Sequence, residues 1–212
     1  MKKLKNNTVT SIEPQVKSKD RFSVFIDGEF AFGISDFDLY NLKIRVGDTI
    51  DEYRMKEIEN VISVDKCKNY AVNLVSKKMY TKKEITDKMT NKGYSLTAVS
   101  EILDILEEYG YINDEVFAKL YVKEYGRKYG ATKIKFSLKL KGIPDEIIEE
   151  SLADFDNRDQ LADLIRHKSK VNLNDYKEYS KIMRSFMSKG FSFDEVKECL
   201  DIVKKERDVS EI

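Results

Sequence analysis

The chain has little of what several functional classes require. Its 212 residues include one histidine, two cysteines, two prolines and no tryptophan. The cysteines and the histidine do not have metal-site spacing. There is no glycine-rich phosphate loop of the P-loop type, and no run approaches the ~18 apolar residues of a membrane helix. We therefore expect no metal, no cofactor, no catalytic residue and no membrane partner.

The N-terminus and the cysteines indicate the compartment. The segment MKKLKNNTVT is basic but lacks the apolar stretch of a signal peptide. Cys67 and Cys199 each lie in an amphipathic helical pattern, which favours buried free thiols in a reducing compartment over a disulfide. We therefore expect a cytoplasmic protein. We also expect it to be a monomer.

Residues 1–62 have the pattern of a small β-rich module. In RFSVFIDGEFAFGIS, Asp-Gly at 27–28 stands between two alternating segments, as in a two-residue hairpin turn. Phe22, Val24 and Ile26 share one predicted face, with Phe30 and Phe32 as partners across the hairpin. We predict a third strand in NTVTSIEPQ, a short fourth at 46–51, one or two helical turns with an Asp cap in DFDLYNLK, and a helix in EYRMKEIENVIS.

A Lys-Gly-hydrophobic triplet recurs three times in the rest of the chain. The stretches are NKGYSLTAVSEILDIL, LKGIPDEIIEESLADF and SKGFSFDEVKECLDIV, with glycines at 93, 142 and 190. When these glycines are aligned, apolar residues superpose at helical spacing on both sides of the turn. Each unit therefore has a helix, a glycine C′ turn, and a second helix opened by Ser95, Pro144 or Ser192, the serines as N-caps and the proline in the first turn.

Another amphipathic helix precedes each pair, at about 66–80, 114–128 and 158–170. The fold class is therefore mainly α, with three tandem three-helix repeats in an elongated curved array behind the β-rich module. The predicted boundaries are 1–62 for that module, 63–110, 111–156 and 157–206 for the three repeats, and 207–212 for a tail.

Charge is segregated within each repeat although the chain has 38 basic and 38 acidic residues. The first two helices of each repeat are rich in lysine and arginine, whereas the third is acidic. This pattern suits a partner with a repeating negative surface, such as nucleic acid or a protein filament on nucleic acid. Charge that only solvates the helices is the alternative.

The basic candidates fall in two groups. The densest run supplies Lys123, Arg127, Lys128, Lys133, Lys135, Lys139 and Lys141. The further candidates are Lys77, Lys78, Lys82, Lys83, Arg166, Lys168 and Arg184. Aromatic residues interleave with the first group and could stack on bases. The four-residue spacing of Tyr121 and Tyr125 favours a buried stripe instead.

The second repeat resembles the RecX family of RecA regulators. The resemblance rests on the stretch YGYINDEVFAKLYVKEYGRKYGATKIKFSLKLKGIPDEIIEESL, and more loosely on YTKKEITDKMTNKGY, where Thr81 replaces the family's serine. It covers roughly 66–204 and leaves the β-rich module as an extension. We expect its motif residues to be structural: Asp114 as a helix cap, Tyr111, Phe117 and Ala118 in packing, and Gly130 and Gly142 in turns.

The resemblance implies a non-enzymatic protein that binds the groove of the RecA–DNA filament and inhibits ATP hydrolysis and strand exchange in recombination and DNA repair. Single- or double-stranded DNA is a further expected partner. Two alternatives stay open on the residues alone: a DNA-binding protein that competes with the recombinase, and a helical scaffold for another protein.

Overall fold

The computed structural model describes residues 7–16, 18–168, 173 and 175–210. They form two compact units, Met1–Asn73 with Met89–Ile102, and Leu74–Lys88 with Leu103–Ile212. The strands are β1 (Val9–Gln15), β2 (Ser18–Ile26) and β3 (Glu29–Ser35). The helices are α1 (Asp36–Asn41), α2 (Glu52–Val75), α3 (Lys82–Asn91), α4 (Leu96–Glu108), α5 (Asp114–Tyr125), α6 (Ala131–Leu140), α7 (Asp145–Leu152), α8 (Arg158–Lys168), α9 (Tyr176–Met187) and α10 (Phe193–Ser210). The predicted class, mainly α with a β-rich N-terminal module, is confirmed.

The three strands form an antiparallel sheet in the order β1-β2-β3. The turn between β2 and β3 is Asp27-Gly28, and both residues have positive φ, 51° and 81°, as predicted. The predicted fourth strand at 46–51 is wrong, because this segment contributes only an isolated bridge from Thr49 to Thr8. The predicted Asp cap of α1 is also wrong, since Ser35 accepts the capping hydrogen bond.

A register shift in the hairpin changes the predicted face of one aromatic residue. Val24 pairs with Phe32 as expected, but a bulge after Val24 places Phe30 opposite Phe25. The two rings meet edge to face with centroids 5.9 Å apart. Phe32 is buried, whereas Phe30 is exposed, because a one-residue shift moves a side chain to the other face.

Helix α2 is longer than predicted. Two helices, EYRMKEIENVIS and about 66–80, were expected, but Glu52–Val75 is one continuous helix. The segment contains no glycine or proline that would interrupt the hydrogen-bond ladder. In the same unit, the Tyr94 hydroxyl donates to the Lys66 carbonyl at 3.2 Å, and the rings of Tyr70 and Tyr94 lie 5.9 Å apart.

The three Lys-Gly turns have the predicted backbone. Gly93, Gly142 and Gly190 have φ of 95°, 80° and 88°, in the left-handed region that ends a helix readily only at glycine. The helices form three sets of three, α2–α4, α5–α7 and α8–α10, which correspond to the three predicted repeats. Each of these glycines stands between the second and third helices of its set, in the connections α3–α4, α6–α7 and α9–α10.

The residues that open the third helices follow the prediction with one difference. The hydroxyls of Ser95 and Ser192 accept hydrogen bonds from the amides of Ala98 and Glu195, both at 3.2 Å. Pro144 is the N-cap of α7 itself rather than a residue of its first turn, since α7 begins one residue later than expected.

The Lys-Gly turn of the third set docks on the start of α6. The Gly130 amide donates to the Lys189 carbonyl at 3.1 Å, and the Thr132 amide donates to the Gly190 carbonyl at 3.3 Å. A Cβ at Gly130 would overlap the Gly190 carbonyl. Gly130 has negative φ as the N-cap of α6, so glycine is needed there for close approach.

The Lys-Gly turn of the second set docks in the same way on the start of α3. The buried Thr81 hydroxyl donates to the Lys141 carbonyl at 2.7 Å and accepts from the Glu84 amide at 3.1 Å. Gly142 lies directly against the Lys83 side chain. In the second and third sets the triplet therefore forms the joint with the preceding repeat.

Asp114 belongs to this joint and is not the cap predicted for its own helix. Asn113 caps α5 by accepting from the Val116 amide at 2.9 Å. The Asp114 carboxylate instead accepts from the Lys82 amide, in the first turn of α3, at 3.0 Å. Burial raises the pKa of the Asp114 carboxyl, and the hydrogen bond from the Lys82 amide opposes that shift.

A buried asparagine completes the joint between the second and third sets. The Asn157 side-chain amide donates to the carbonyls of Gly126 and Tyr129 at 2.7 and 3.0 Å. The core of the second set includes Ile134, Leu138 and Ile148, and the core of the third includes Phe186 and Leu200.

Candidate functional site

Two of the three lysines of α6 form ion pairs with residues of α7. Lys135 pairs with Glu149, and the Lys139 ammonium lies 2.7 Å from the Asp145 carboxylate. The Lys139 ammonium lowers the pKa of the Asp145 carboxyl, and the hydrogen bond to Glu149 raises the pKa of Lys135. Exposed pairs of this kind contribute little to stability, but they reduce the positive charge that α6 presents to a partner.

Lys141 is part of the joint between repeats. Its ammonium lies 2.6 Å from the Glu84 carboxylate, and both side chains are half-buried. The same ammonium lies 5.4 Å from the centre of the Phe117 ring. Lys141 therefore has local acidic and aromatic partners, so its charge is less available to a ligand than an exposed, unpaired charge.

Two further candidates on α3 also have acidic partners. Lys82 lies 2.8 Å from Glu107, and Lys83 lies 2.6 Å from Asp87. The hydrogen bond to Glu107 raises the pKa of Lys82, so this lysine keeps its charge to higher pH.

A second group of cations is exposed and has no ion-pair partner in the described part of the chain. Besides Lys133 and Arg184, which are described below, it consists of Lys77, Lys78, Lys123, Arg127 and Lys128. All five lie near the end of a first helix or in the loop that leads to the second helix of the same set. Because no carboxylate in the described part of the chain lies within ion-pair distance of them, these side chains are more available to a negatively charged partner than the paired lysines are.

A tyrosine precedes the second helix in the first two sets, and cations lie over its ring. The Lys78 ammonium is 4.5 Å from the ring centre of Tyr80, and the Lys133 ammonium is 4.8 Å from that of Tyr129. These cation–π contacts orient Lys78 and Lys133 without neutralising their charges.

The aromatic residues of α5 stack on one another. The rings of Phe117, Tyr121, Tyr125 and Tyr129 are nearly parallel, with successive centroids 6.0, 4.1 and 6.2 Å apart. All four are half-buried against the core of the second set. Because the facing surfaces of Tyr121 and Tyr125 cover each other, this arrangement favours packing over stacking on bases.

The three basic candidates of the third set differ in their contacts. Arg166 pairs with Asp163 at 2.6 Å and with Glu206 at 2.9 Å. Arg184 is exposed, and its Nε donates to the Ser180 carbonyl of its own helix at 3.2 Å. Lys168 ends α8, and its side chain lies outside the described residues.

The remaining motif residues are structural, with one exception. Ala118 is fully buried and Phe117 packs on the core of the second set, as expected. Tyr111 is 60% exposed, so the prediction that it packs is wrong. The role of Asn157 was not predicted from the sequence. An asparagine just before a helix is a capping signal, but the two carbonyls that its side chain reaches were not predictable.

The described residues show no constellation that would hold a metal ion, and none of their helices meets the length and hydropathy needed to cross a bilayer. Cys67 and Cys199 are free and buried, and burial raises the pKa of both thiols. Neither is therefore an activated nucleophile.

Four family models match the chain in order. They describe the RecX N-terminal domain (7–51) and the first (67–106), second (113–152) and third (158–200) RecX three-helix domains. The first match corrects the expectation that the β-rich module lies outside the resemblance.

Curated relatives and solved structures agree with these matches. Regulatory protein RecX of Clostridium botulinum (strain Alaska E43 / Type E3) is 32% identical over 93% of this chain and 95% of its own. That of Bacillus subtilis (strain 168) is 30% identical over 94% and 78%. A crystal structure of a regulatory protein RecX has a TM-score of 0.70 at 23% identity, covering 93% of this chain and 98% of its own. The crystal structure of RecX from Lactobacillus salivarius has a TM-score of 0.60 at 27% identity, covering 67% and 97%. The chain belongs to the RecX family of regulatory proteins.

Proposed function

We propose that this protein is a non-enzymatic modulator of the RecA recombinase. It binds the filament that RecA forms on DNA and suppresses ATP hydrolysis and strand exchange. The observation that carries the proposal is the presence of all four RecX domains, in order, in one chain. The recombinase as partner comes from the family resemblance.

The joints between repeats support a mechanism. Backbone hydrogen bonds and close-packed glycines link the second and third sets, so the two sets move together. A body that contacts adjacent recombinase subunits would oppose the subunit motion that accompanies hydrolysis. Inhibition then requires binding energy and stiffness but no catalytic residue.

The unpaired cations define the surface that we assign to the filament. We propose that Lys77, Lys78, Lys123, Arg127 and Lys128 contact DNA phosphates or acidic recombinase side chains. Lys135, Lys139 and Lys141 contribute less because Glu149, Asp145 and Glu84 offset them. The same unpaired cations favour the second candidate function, in which the protein binds bare DNA and displaces the recombinase by competition.

Co-sedimentation distinguishes the two functions. The cognate RecA is assembled on single-stranded DNA with a slowly hydrolysed ATP analogue, and the protein is titrated onto the filament and onto an equal amount of bare DNA at moderate salt. We expect binding to the filament to be at least about tenfold tighter than to bare DNA. Equal affinity for both would favour competition for DNA, and absence of binding to the filament would contradict the proposed function.

A further inference from the structure

Two exposed positions beside the Lys-Gly turn are charged in the second repeat and apolar in the third. Aligned on Gly142 and Gly190, the positions of Lys139 and Asp145 in the second repeat are those of Met187 and Phe193 in the third. The second repeat has an ion pair there. Met187 and Phe193 are instead exposed, by 43% and 52%.

A groove opens beside Phe193. It has a volume of about 550 Å³ and is lined by Tyr176, Tyr179, Ser180, Met183, Arg184 and Phe193. Met183 is buried and forms the floor, whereas Tyr176 is 81% exposed. An exposed apolar patch of this kind marks an interaction surface.

One charged residue stands among those that line the groove in the described structure. Arg184 donates its Nε to Ser180 and has no carboxylate partner within the described residues. The other nitrogens of its guanidinium can bind a carboxylate in a bidentate arrangement. Lys177 and Lys181 are also exposed on α9 and add positive charge to that helix.

We propose that this groove binds a protein segment in which an aliphatic or aromatic side chain stands next to an aspartate or glutamate. The apolar side chain enters over Met183, and the carboxylate pairs with Arg184. This inference rests on the proposed function, because the partner that presents the segment is the recombinase in its filament. The groove therefore supplies a second contact, distinct in chemistry from the basic surface of the first two repeats.

The composition of the groove favours a protein over nucleic acid. Tyrosine, phenylalanine, methionine and arginine are enriched at the centres of protein interfaces. Nucleic acid binding instead depends on several cations along the phosphate backbone, and this groove has one. Binding through it should consequently depend only weakly on salt.

The test uses the double variant Met187→Lys/Phe193→Asp in the full chain. It installs the residue pair of Lys139 and Asp145 at the equivalent positions and leaves the net charge unchanged. We expect about a tenfold or larger loss of affinity for the RecA filament, as for removal of an interface hot spot. Arg184→Gln, a single exposed substitution, is expected to weaken binding about fivefold, and Tyr53→Gln, at an exposed aromatic residue of α2, serves as the matched control.

The outcomes separate this inference from the proposed function. If the unmodified protein binds the filament and the double variant binds equally well, the groove inference is overturned and the proposed function stands. If the unmodified protein does not bind the filament, the proposed function fails. If the substitutions abolish self-association in sedimentation, or weaken binding to bare DNA, while filament affinity is unchanged, the occupant is a second copy or nucleic acid and the inference is overturned.

Discussion

Replacing Gly130 with alanine is expected to lower the free energy of unfolding by about 3 kcal/mol. The backbone of Gly130 has negative φ, so alanine adds no conformational strain. Its Cβ would overlap the Gly190 carbonyl, and relieving that overlap separates two backbone segments joined by hydrogen bonds from Gly130 and Thr132. Urea denaturation monitored by circular dichroism measures the loss.

Alanine substitutions at two other glycines separate the effect of backbone conformation from that of close packing. Gly93 has positive φ but nothing within 4 Å of a Cβ among the described residues, so Gly93→Ala should lose only about 1–2 kcal/mol through the left-handed backbone. Gly190 has positive φ and also lies against Lys133, so Gly190→Ala should lose about 4 kcal/mol. Equal losses at Gly93 and Gly190 would show that the joint between repeats is not tightly packed.

The double variant Arg127→Gln/Lys128→Gln is expected to weaken binding to DNA-containing filaments and to flatten its salt dependence. Each lost phosphate contact lowers the magnitude of the log–log slope by about 0.7–0.9, so two should lower it by about 1.5. Fluorescence anisotropy over a range of salt concentrations measures both the affinity and the slope.

The variant Lys135→Gln/Lys139→Gln removes the same number of charges from the same repeat. Glu149 and Asp145 already offset these lysines, so we expect a smaller change in slope. If this pair weakens binding as much as the Arg127/Lys128 pair, the ion pairs do not decide which cations act, and the assigned surface is wrong.

The repeats were predictable from sequence because their signals are local. A glycine that ends a helix, a serine that opens the next and apolar residues at helical spacing all act within about a dozen residues. These signals predicted the turns at Gly93, Gly142 and Gly190. The same local signals wrongly predicted a break inside Glu52–Val75. The amphipathic pattern of this segment is too weak to show that it forms one continuous helix.

Which basic side chains form ion pairs and which do not could not be predicted, because the pairing depends on contacts between distant segments. Glu84 reaches Lys141 across 57 positions of sequence, and Glu107 reaches Lys82 across 25. Sequence composition shows that lysines and carboxylates are both abundant, but only the packing of one repeat on the next decides which of them meet. For the same reason Asp114 caps α3 rather than its own helix.

The repeated joint suggests why three similar units carry different surfaces. The positions that hold neighbouring repeats together, such as Gly142 and Gly190, lie directly against residues of the preceding repeat. The outward positions are free to vary, and they hold an ion pair at Lys139 and Asp145 but exposed apolar groups at Met187 and Phe193. One architecture can therefore present paired charges on one repeat and exposed apolar side chains at the same positions of the next.

The most direct test of the central claim is the steady-state ATPase rate of the cognate RecA on single-stranded DNA, titrated with this protein at moderate salt. We predict inhibition at protein concentrations well below those that coat the DNA, because the site of action is the filament. Inhibition only at DNA-saturating concentrations would place the action on DNA instead. An unchanged rate in the presence of the folded protein would contradict the assignment of the recombinase as its partner.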